Sequence, residues 1–264
     1  MVDFADAHVV VTGGSSGIGR AFVRRTVALG ARVSVIALPD GDLADTEREL
    51  GVTTVAADVA DPGAIRDAIR RVENRHGPCD VLLSCAGIAH PGYFERLEDD
   101  VFRRTMEIDY FGTLYAMRAV VPSMIQRRMG SVVGISSAAG LVGIFGYTPY
   151  APAKFAVRGL LEALRCELAP YSVHVGCVCP ADTDTPQLAY ENRFKPPETA
   201  AISGQIRPLT ADQVAKAIIR GIRRRDFLIT ADRQTAVLAR TVGLLRGTYF
   251  RSFDRRVRRV RQRG

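Results

Sequence analysis

Along most of the chain, short apolar runs alternate with longer segments in which apolar residues recur with helical spacing. The runs are rich in β-branched residues and carry few polar side chains on either face. Strands of this kind, each followed by a helix, are typical of a parallel sheet that helices cover on both faces. The sequence therefore predicts an α/β fold, a Rossmann-like doubly wound parallel sheet of about seven strands in a single domain. The predicted strands are HVVVT, RVSVIA, TTVAAD, DVLLS, SVVGIS, VHVGCVC and DFLIT, and the predicted helices lie near residues 17–29, 62–76, 99–128, 151–169 and 211–224.

No internal repeat or low-complexity linker divides the chain before its C-terminal segment. We therefore predict one folded domain over residues 1–232, with an irregular insertion near 183–209, and a basic, apolar tail over 233–264. The segment from Arg246 to Arg263 has eight arginines and one acidic residue, and so contributes seven units of the net charge of +8. The basic character belongs to the tail and not to the fold.

The first apolar run begins at His8 without a basic and apolar leader before it, so we expect a cytoplasmic location. Five cysteines, an odd number, are consistent with reduced thiols. Cys177 and Cys179 share one face of a predicted strand, and we expect both to be buried in the core. The chain shows no CxxC spacing and no His/Cys cluster, so no metal site is expected.

A glycine-rich loop, TGGSSGIG from Thr12 to Gly19, follows the first predicted strand and leads into a helix. In that position, glycines let the backbone approach a pyrophosphate, which then lies at the positive N-terminus of the helix. The order of strand, loop and helix predicts dinucleotide binding. A tight turn without a ligand is the alternative, but it does not explain so many glycines together with Ser15 and Ser16.

The ends of the next three strands carry further candidate contacts for a nucleotide. Asp58, which closes the third strand, is a candidate for the adenine amino group, and Cys85 to Gly87 place small residues where a flat nucleotide lies. The second strand ends at Ala37 and Leu38, where enzymes that use NAD usually carry an acid against the ribose 2′-hydroxyl. Because that acid is missing, we favour NADPH or NADP over NAD, which remains an alternative. Arg20 is a candidate ligand for the 2′-phosphate.

Only three of the 36 basic residues are lysines, and one of them, Lys154, follows Tyr150 by four positions at the start of a predicted helix. This spacing places the two side chains on one helical face. The ordinary pKa of a phenol, about 10, is too high for acid–base catalysis at neutral pH, and a nearby ammonium lowers it. The ammonium can also donate to ribose hydroxyls. The alternative is a surface lysine beside a packed tyrosine.

The TGxxxGIG loop, the serine at the end of the fifth strand and the YxxxK pair together resemble the short-chain dehydrogenase/reductase family over nearly the whole chain. The resemblance implies hydride transfer between a nicotinamide cofactor and a ketone or alcohol, with Tyr150 as the acid/base, Ser137 polarising the carbonyl and Lys154 tuning the tyrosine. The cofactor contacts that it implies, together with those proposed above, are Gly13, Ser15, Ser16, Gly17, Ile18, Gly19, Arg20, Leu38, Asp58, Val59, Cys85, Ala86, Gly87, Tyr150, Lys154, Pro180, Thr183 and Thr185.

One departure from the family pattern concerns Asp109, in MEIDYFGT, which stands where the family usually has a catalytic asparagine. The resemblance makes Asp109 the fourth candidate catalytic residue. Its carboxylate could pair with Lys154 and weaken the effect of that ammonium on Tyr150, or it could serve the same water relay. We hypothesise an altered pH optimum.

The run from Cys179 to Ser203 resembles 3-ketodihydrosphingosine reductases through DTDTP, EN and KP-x-ET, and SFDRRVRR in the tail resembles the same group. This implies reduction of 3-ketosphinganine to sphinganine by NADPH in sphingolipid synthesis, with the insertion near 183–209 as the substrate lid. Glu191 or Glu198 would meet the substrate ammonium. An acyl-chain groove would be lined by Leu188, Ala189, Tyr190, Phe194 and Ile202. A lid that packs only on itself is the alternative.

Two other functions remain open at this point. One is oxidation or reduction of another bulky lipid-like molecule, such as a steroid, a retinoid or a long-chain ketone. The other is a non-catalytic dinucleotide-sensing protein, against which the intact Ser137, Tyr150 and Lys154 argue. The resemblance also implies a homo-oligomer that associates through the two long helices.

The tail begins with an apolar stretch, Thr235 to Phe250, that is interrupted by Arg240 and Arg246. It is too short and too charged for a spanning helix, which needs about 20 apolar residues. Together with the arginines that follow and Phe253, it is typical of a segment that lies on an anionic membrane surface. An oligomer contact and a solvated tail are the alternatives. No nucleic-acid partner is expected, because the chain shows no aromatic platform or reading motif among the arginines.

Overall fold

Seven parallel strands form the main sheet, in the spatial order β3-β2-β1-β4-β5-β6-β9. The computed structural model describes residues 3–203 and 207–262. Within that part of the chain, β7 and β8 pair with each other in a separate two-stranded sheet. The predicted doubly wound sheet and its number of strands are confirmed. The strands are β1 (His8–Thr12), β2 (Arg32–Ala37), β3 (Thr53–Ala56), β4 (Val81–Ser84), β5 (Ser131–Ile135), β6 (His174–Val178), β7 (Thr183–Asp184), β8 (Leu209–Thr210) and β9 (Leu228–Ile229).

The helices follow the strands as expected for crossover connections. They are α1 (Gly17–Ala28), α2 (Gly41–Leu50), α3 (Pro62–His76), α4 (Asp99–Met106), α5 (Gly112–Arg127), α6 (Tyr150–Leu168), α7 (Pro186–Glu191), α8 (Pro197–Ser203), α9 (Ala211–Arg224) and α10 (Arg233–Arg261). The five predicted helices are confirmed, and a π-helical turn over Glu107–Phe111 divides the longest of them into α4 and α5. The apolar pattern does not predict α2, because its sequence, GDLADTEREL, is short and mostly polar.

Alternate residues of the central strands enter two apolar cores, one on each face of the sheet. In β1, Val9 and Val11 belong to the core that includes residues of α1 and α9, whereas Val10 belongs to the core that includes residues of α3, α5 and α6. Burial on both faces explains why these strands lack polar alternation. Strands β1 to β3 are added toward one edge of the sheet and β4 to β6 toward the other, so the order of addition reverses between β1 and β4. In open parallel sheets, ligands bind in the crevice at the carboxyl ends of the strands at this point.

The insertion near 183–209, predicted to be irregular, contains regular structure. It comprises β7, α7, α8 and the first residue of β8, and the pairing of Thr183 with Leu209 joins its two ends. Residues 204–206 of the predicted lid lie outside the described residues. Both helices begin with proline, Pro186 and Pro197, whose fixed φ suits the first turn. A proline-rich segment can therefore be mistaken for a loop when only its apolar pattern is considered.

The segment predicted as a tail forms the long helix α10, which is kinked at Leu245 (φ −107°, ψ 15°). Val242 is buried, and Leu238, Tyr249 and Phe253 pack against the core that includes residues of α5 and α6. The last two residues of the predicted tail, 263 and 264, lie outside the described residues. None of the described helices is both long and apolar enough to cross a membrane.

Two local expectations concern the cysteines and metals. Cys177 and Cys179 are buried on one face of the sheet, with their sulfur atoms 3.9 Å apart, as the strand pattern predicts. Over residues 3–203 and 207–262, no group of three or more His, Cys, Asp or Glu side chains is arranged to hold a metal ion.

Candidate active site

A cavity of about 300 Å³ lies at the carboxyl ends of the central strands. Its walls come from the loops after β1 to β6, from the first turns of α1 and α6, and from α7. All the predicted cofactor residues except Gly19 and Arg20 line it: Gly13, Ser15, Ser16, Gly17, Ile18, Leu38, Asp58, Val59, Cys85, Ala86, Gly87, Tyr150, Lys154, Pro180, Thr183 and Thr185. The topology therefore brings residues from distant parts of the sequence to one crevice.

The glycine loop forms a cradle that side-chain carbons would fill. A Cβ added to Gly13, whose φ is +66°, would lie 2.6 Å from the backbone of Ala86. One added to Gly19 would lie 2.2 Å from the carbonyl oxygen of Gly13, so Gly19 serves close packing of α1 on the loop. Within the described residues, Ser16 precedes α1 without capping its amides through the side chain. Those amides are free to bind an anion, which fits the pyrophosphate of a dinucleotide.

Strand β2 itself ends without an acidic or basic side chain. Leu38 lines the cavity and is half exposed. The carboxylate of Asp40, which also lines the cavity, accepts a hydrogen bond from the Leu43 amide at 3.0 Å and so caps α2. The predicted phosphate ligand Arg20 does not line the cavity, and its Nη2 pairs with Glu49 Oε2 at 2.8 Å.

The reacting end of the cavity brings together Ser137, Tyr150 and Lys154. Lys154 is only 4% exposed, and its Nζ lies 5.2 Å from the centre of the Tyr150 ring. Burial raises the pKa of Tyr150 to about 12, although the Lys154 ammonium and the Ser137 hydroxyl act to lower it. The carboxylates of Asp109 and Glu191 act with burial to raise it. Burial thus outweighs the lowering of the pKa by the ammonium that the sequence predicts, and Tyr150 holds its proton at neutral pH.

Asp109 lies behind the cavity wall and pairs with Lys154. Its Oδ2 is 3.0 Å from Lys154 Nζ, and its Oδ1 accepts a hydrogen bond from the Ile88 amide at 2.8 Å. Burial is the largest single influence and lowers the pKa of Lys154, but Asp109, Tyr150 and Cys85 together outweigh it, and the net pKa is raised. Asp109 sits in the π-helical turn, a local feature that is frequent at functional sites. The pairing considered from the sequence is present in the structure.

The two candidate lid carboxylates have different surroundings. Glu191 lines the cavity, where the Tyr147 hydroxyl donates to its Oε2 and the Gln187 amide donates to its Oε1 at 2.9 Å. Glu198 does not line the cavity, and it accepts from Tyr93 and pairs with Arg261. Sequence reasoning missed Tyr147 as a cavity residue. Tyr147 precedes α6, in a loop where no helical periodicity marks it.

Only one of the five predicted groove residues lines the cavity, and it is Leu188. Tyr190 and Phe194 are exposed on the lid and pack around His90, which hydrogen-bonds to the Tyr190 hydroxyl at 2.7 Å. Ala189 is exposed, and Ile202 is buried away from the cavity. The structure thus gathers the polar cavity residues but not the predicted apolar groove.

Comparison with known proteins shows the family to which most of the chain is similar. The family described as short chain dehydrogenase matches residues 7–195. The chain is 41% identical over 231 residues to the 3-dehydrosphinganine reductase of Danio rerio, which covers 84% of this chain and 70% of that protein. It is 38% identical over 270 residues to the 3-ketodihydrosphingosine reductase of Dictyostelium discoideum, covering 94% and 81% respectively.

A solved structure supports the fold. A short chain dehydrogenase/reductase from Burkholderia phymatum, in complex with NAD, superposes with a TM-score of 0.83 at 22% identity. The match covers 94% of this chain and 96% of the other. With the cavity, the sheet order and these relatives in agreement, the chain belongs to the short-chain dehydrogenase family and is an oxidoreductase that acts on a ketone or alcohol group.

Proposed function

We propose that the protein reduces 3-ketosphinganine to sphinganine with NADPH, a step in sphingolipid synthesis. The observation that carries the proposal is the identity of about 40% to two reductases named for this substrate, in alignments that cover most of the chain. Tyr150, which lines the cavity, would be the proton donor that reduction of a ketone needs.

In the proposed mechanism, the Ser137 hydroxyl donates a hydrogen bond to the substrate carbonyl oxygen and polarises it. The reduced nicotinamide, when bound, supplies the hydride to the carbonyl carbon. Tyr150 gives its proton to the carbonyl oxygen, so that the C=O bond becomes an alcohol and the tyrosine becomes a phenolate. The buried ammonium of Lys154 stabilises that phenolate until a proton returns from solvent.

The cofactor would lie along the glycine loop, with its pyrophosphate at the N-terminus of α1. Lys154 would donate to the nicotinamide ribose, and Thr183 and Thr185 would contact the carboxamide and phosphate. We favour NADPH over NADH because β2 ends without an acid. Arg20 stays a candidate ligand for the 2′-phosphate, although in the structure it pairs with Glu49 at the surface.

We also propose that α10, which packs on the core of the domain through Leu238, Val242 and Tyr249, contacts an anionic membrane surface at its kink. Leu244 is 91% exposed, and Val237, Leu245 and Phe250 are also exposed among arginines. Exposed apolar side chains beside a cationic stretch are typical of interfacial helices. Phe253, expected in this surface from the sequence, packs instead against the core.

The membrane proposal predicts binding to vesicles that contain an anionic phospholipid and little binding to neutral vesicles. Replacing Leu244 and Leu245 together by serine would weaken sedimentation with the anionic vesicles. A matched double substitution at Thr241 and Thr248, to serine, would leave it unchanged. Equal binding to neutral vesicles would contradict the electrostatic part of the proposal. Size-exclusion chromatography without lipid separately tests the expected homo-oligomer.

The enzymatic proposal is tested by the loss of NADPH absorbance with purified protein and 3-ketosphinganine. Tyr150→Phe should reduce the rate by about 10²- to 10⁴-fold, the usual contribution of a general acid. NADH in place of NADPH measures the cofactor preference. Turnover of a steroid or retinoid but not of 3-ketosphinganine would show that the proposed substrate is wrong. Binding of NADPH without turnover of any ketone would favour a dinucleotide sensor.

A further inference from the structure

The cavity beside Tyr150 contains a buried carboxylate that proton and hydride transfer do not use. Glu191, the last residue of α7, is 7% exposed and lines the cavity. Its hydrogen-bond partners, the Tyr147 hydroxyl and the Gln187 amide, are both neutral. Burying a carboxylate is costly unless a cation accompanies it. The surroundings of Glu191 therefore suit a cationic group on a ligand.

The charges around Glu191 do not balance. The ammonium of Lys195 lies 4.0 Å from Glu191 Oε2 but is closer to Asp182, at 3.1 Å from Oδ2. In the described part of the chain, no other cation comes within 4.0 Å of Glu191. One ammonium thus faces two carboxylates, both of which line the cavity. These three side chains together carry a net charge of one negative unit.

Glu191 is also near the reacting group. The rings of Tyr147 and Tyr150 have centres 5.6 Å apart, and Tyr147 donates its hydroxyl hydrogen to Glu191. The Glu191 charge acts on both tyrosines, since after burial it is among the causes that raise the pKa of each. In a 2-amino-3-ketone, the ammonium stands on the carbon next to the ketone. A carbonyl bound at Tyr150 therefore places that ammonium at the reacting end of the cavity, where Glu191 is one of the lining residues.

We propose that Glu191 is a specificity-determining residue that binds the ammonium of a 2-amino-3-ketone substrate and that Tyr147 orients its carboxylate. This inference rests on the proposed function. Glu198, the other carboxylate considered from the sequence, is not available for this role. Arg261 already neutralises it at 3.1 Å, Tyr93 donates to it, and it does not line the cavity.

The experiment compares two substrates of equal chain length, 3-ketosphinganine and the corresponding 1-hydroxy-3-ketone that lacks the amino group. Glu191→Gln keeps the size and hydrogen-bonding capacity of the side chain but removes its charge. It should lower kcat/KM for 3-ketosphinganine by about 10- to 100-fold, mainly through KM, because a hydrogen bond to a charged group is lost. The value for the amine-free ketone should stay within about threefold of wild type, since that substrate has no ammonium for the charge to bind.

A second variant tests the same interaction by removing a positive charge instead of a negative one. Lys195→Met removes the competing ammonium while keeping the length of the stem, so it should raise the preference for 3-ketosphinganine over the amine-free ketone. Glu198→Gln, the matched control on the lid, should leave that preference unchanged. Because loss of folding cannot raise a substrate preference, the lysine variant keeps the test decisive if Glu191→Gln is unstable.

The outcomes separate the two proposals. If the wild-type protein does not reduce 3-ketosphinganine, the proposed function fails. If it does, but Glu191→Gln lowers kcat/KM for both ketones equally, or Lys195→Met leaves the preference unchanged, the assignment of Glu191 is overturned. A selective loss in Asp182→Asn but not in Glu191→Gln would likewise overturn it in favour of the neighbouring carboxylate.

Discussion

The two ends of the cavity differ in what determines their properties, which is the backbone at one end and charged side chains at the other. At the glycine loop, the shape comes from the backbone, and Gly13 and Gly19 stand where any Cβ would clash with neighbouring main-chain atoms. At the lid, the character comes from side-chain charges, as Glu191, Asp182 and Lys195 show. A substitution in the glycine loop either leaves room for the cofactor or blocks it, whereas substitutions among the charged side chains change the charge of the cavity by one unit at a time. Substitutions at the two ends should therefore differ in kind as well as in size.

The largest effect is expected at the loop. Gly13→Ala places a Cβ 2.6 Å from the Ala86 backbone at a φ of +66°, so loop and strand must separate. We expect about a 100-fold loss of kcat/KM for NADPH, the usual effect of displacing a positioned group by about 1 Å. Stopped-flow or fluorescence titration with NADPH would show whether the loss is in binding.

The matched control is Gly41→Ala, at the start of α2, where an added Cβ meets no atom within 4 Å. Thermal unfolding should show this variant to be as stable as wild type or slightly more stable, because alanine restricts the unfolded chain. Similar behaviour of the two variants would show that the steric cradle at Gly13 is not what binds the cofactor.

An intermediate effect is expected at Asp109, which lies between the two ends. Its carboxylate raises the pKa of Tyr150, so Asp109→Asn should lower that pKa, by about one pH unit. Because Tyr150 donates its proton in the reduction, activity in that direction is lost as pH rises through its pKa. The alkaline limb of the pH–rate profile should therefore move to lower pH, and oxidation of sphinganine near neutral pH should become faster.

The control for this variant is Asp67→Asn, an exposed aspartate on α3 that pairs only with the exposed Arg70 in the described structure. Its pH–rate profile should coincide with that of the wild-type protein. An unchanged alkaline limb in Asp109→Asn would mean that the carboxylate does not act on the tyrosine, and that the asparagine usual in the family and this aspartate are interchangeable.

The smallest effect is expected at the outer side of the lid. Arg261→Gln removes the cation that pairs with the buried Glu198, but the arginine is 62% exposed, and the glutamine amide and the Tyr93 hydroxyl can still donate to the carboxylate. Thermal unfolding should show a loss of less than about 1 kcal/mol. Arg258→Gln, an exposed arginine without an ion pair in the described residues, should have no effect. Equal losses in both would assign the effect to general charge on α10.

The strands of the main sheet, the glycine loop and the Tyr150–Lys154 pair could be predicted from the sequence because their causes are local. Strands apolar on both faces can only belong to a covered parallel sheet, and a glycine loop between strand and helix has few other uses. The positions of Tyr150 and Lys154 follow from helical spacing alone. Each of these features is determined by residues that are close together in the sequence.

The remainder depends on contacts between distant segments. The pairing of Arg20 with Glu49 joins α1 to α2, a helix that the apolar pattern does not reveal. The difference between Glu191 and Glu198 depends on Arg261, more than sixty residues farther along the chain. The net rise in the pKa of Tyr150 results from burial, which spacing alone does not show. Such effects arise only when the chain is folded.

The pairing of β7 with β8 has an evolutionary consequence. Because Thr183 lies beside Leu209, and Asp184 beside Thr210, the lid leaves the domain and returns to it at neighbouring points, about 5 Å apart. A segment whose ends meet can be lengthened, shortened or replaced with little cost to the rest of the chain, since closing a longer loop costs little entropy. The sheet and its glycine cradle can thus be inherited unchanged while the lid is exchanged, which lets one scaffold acquire new substrates without refolding its core.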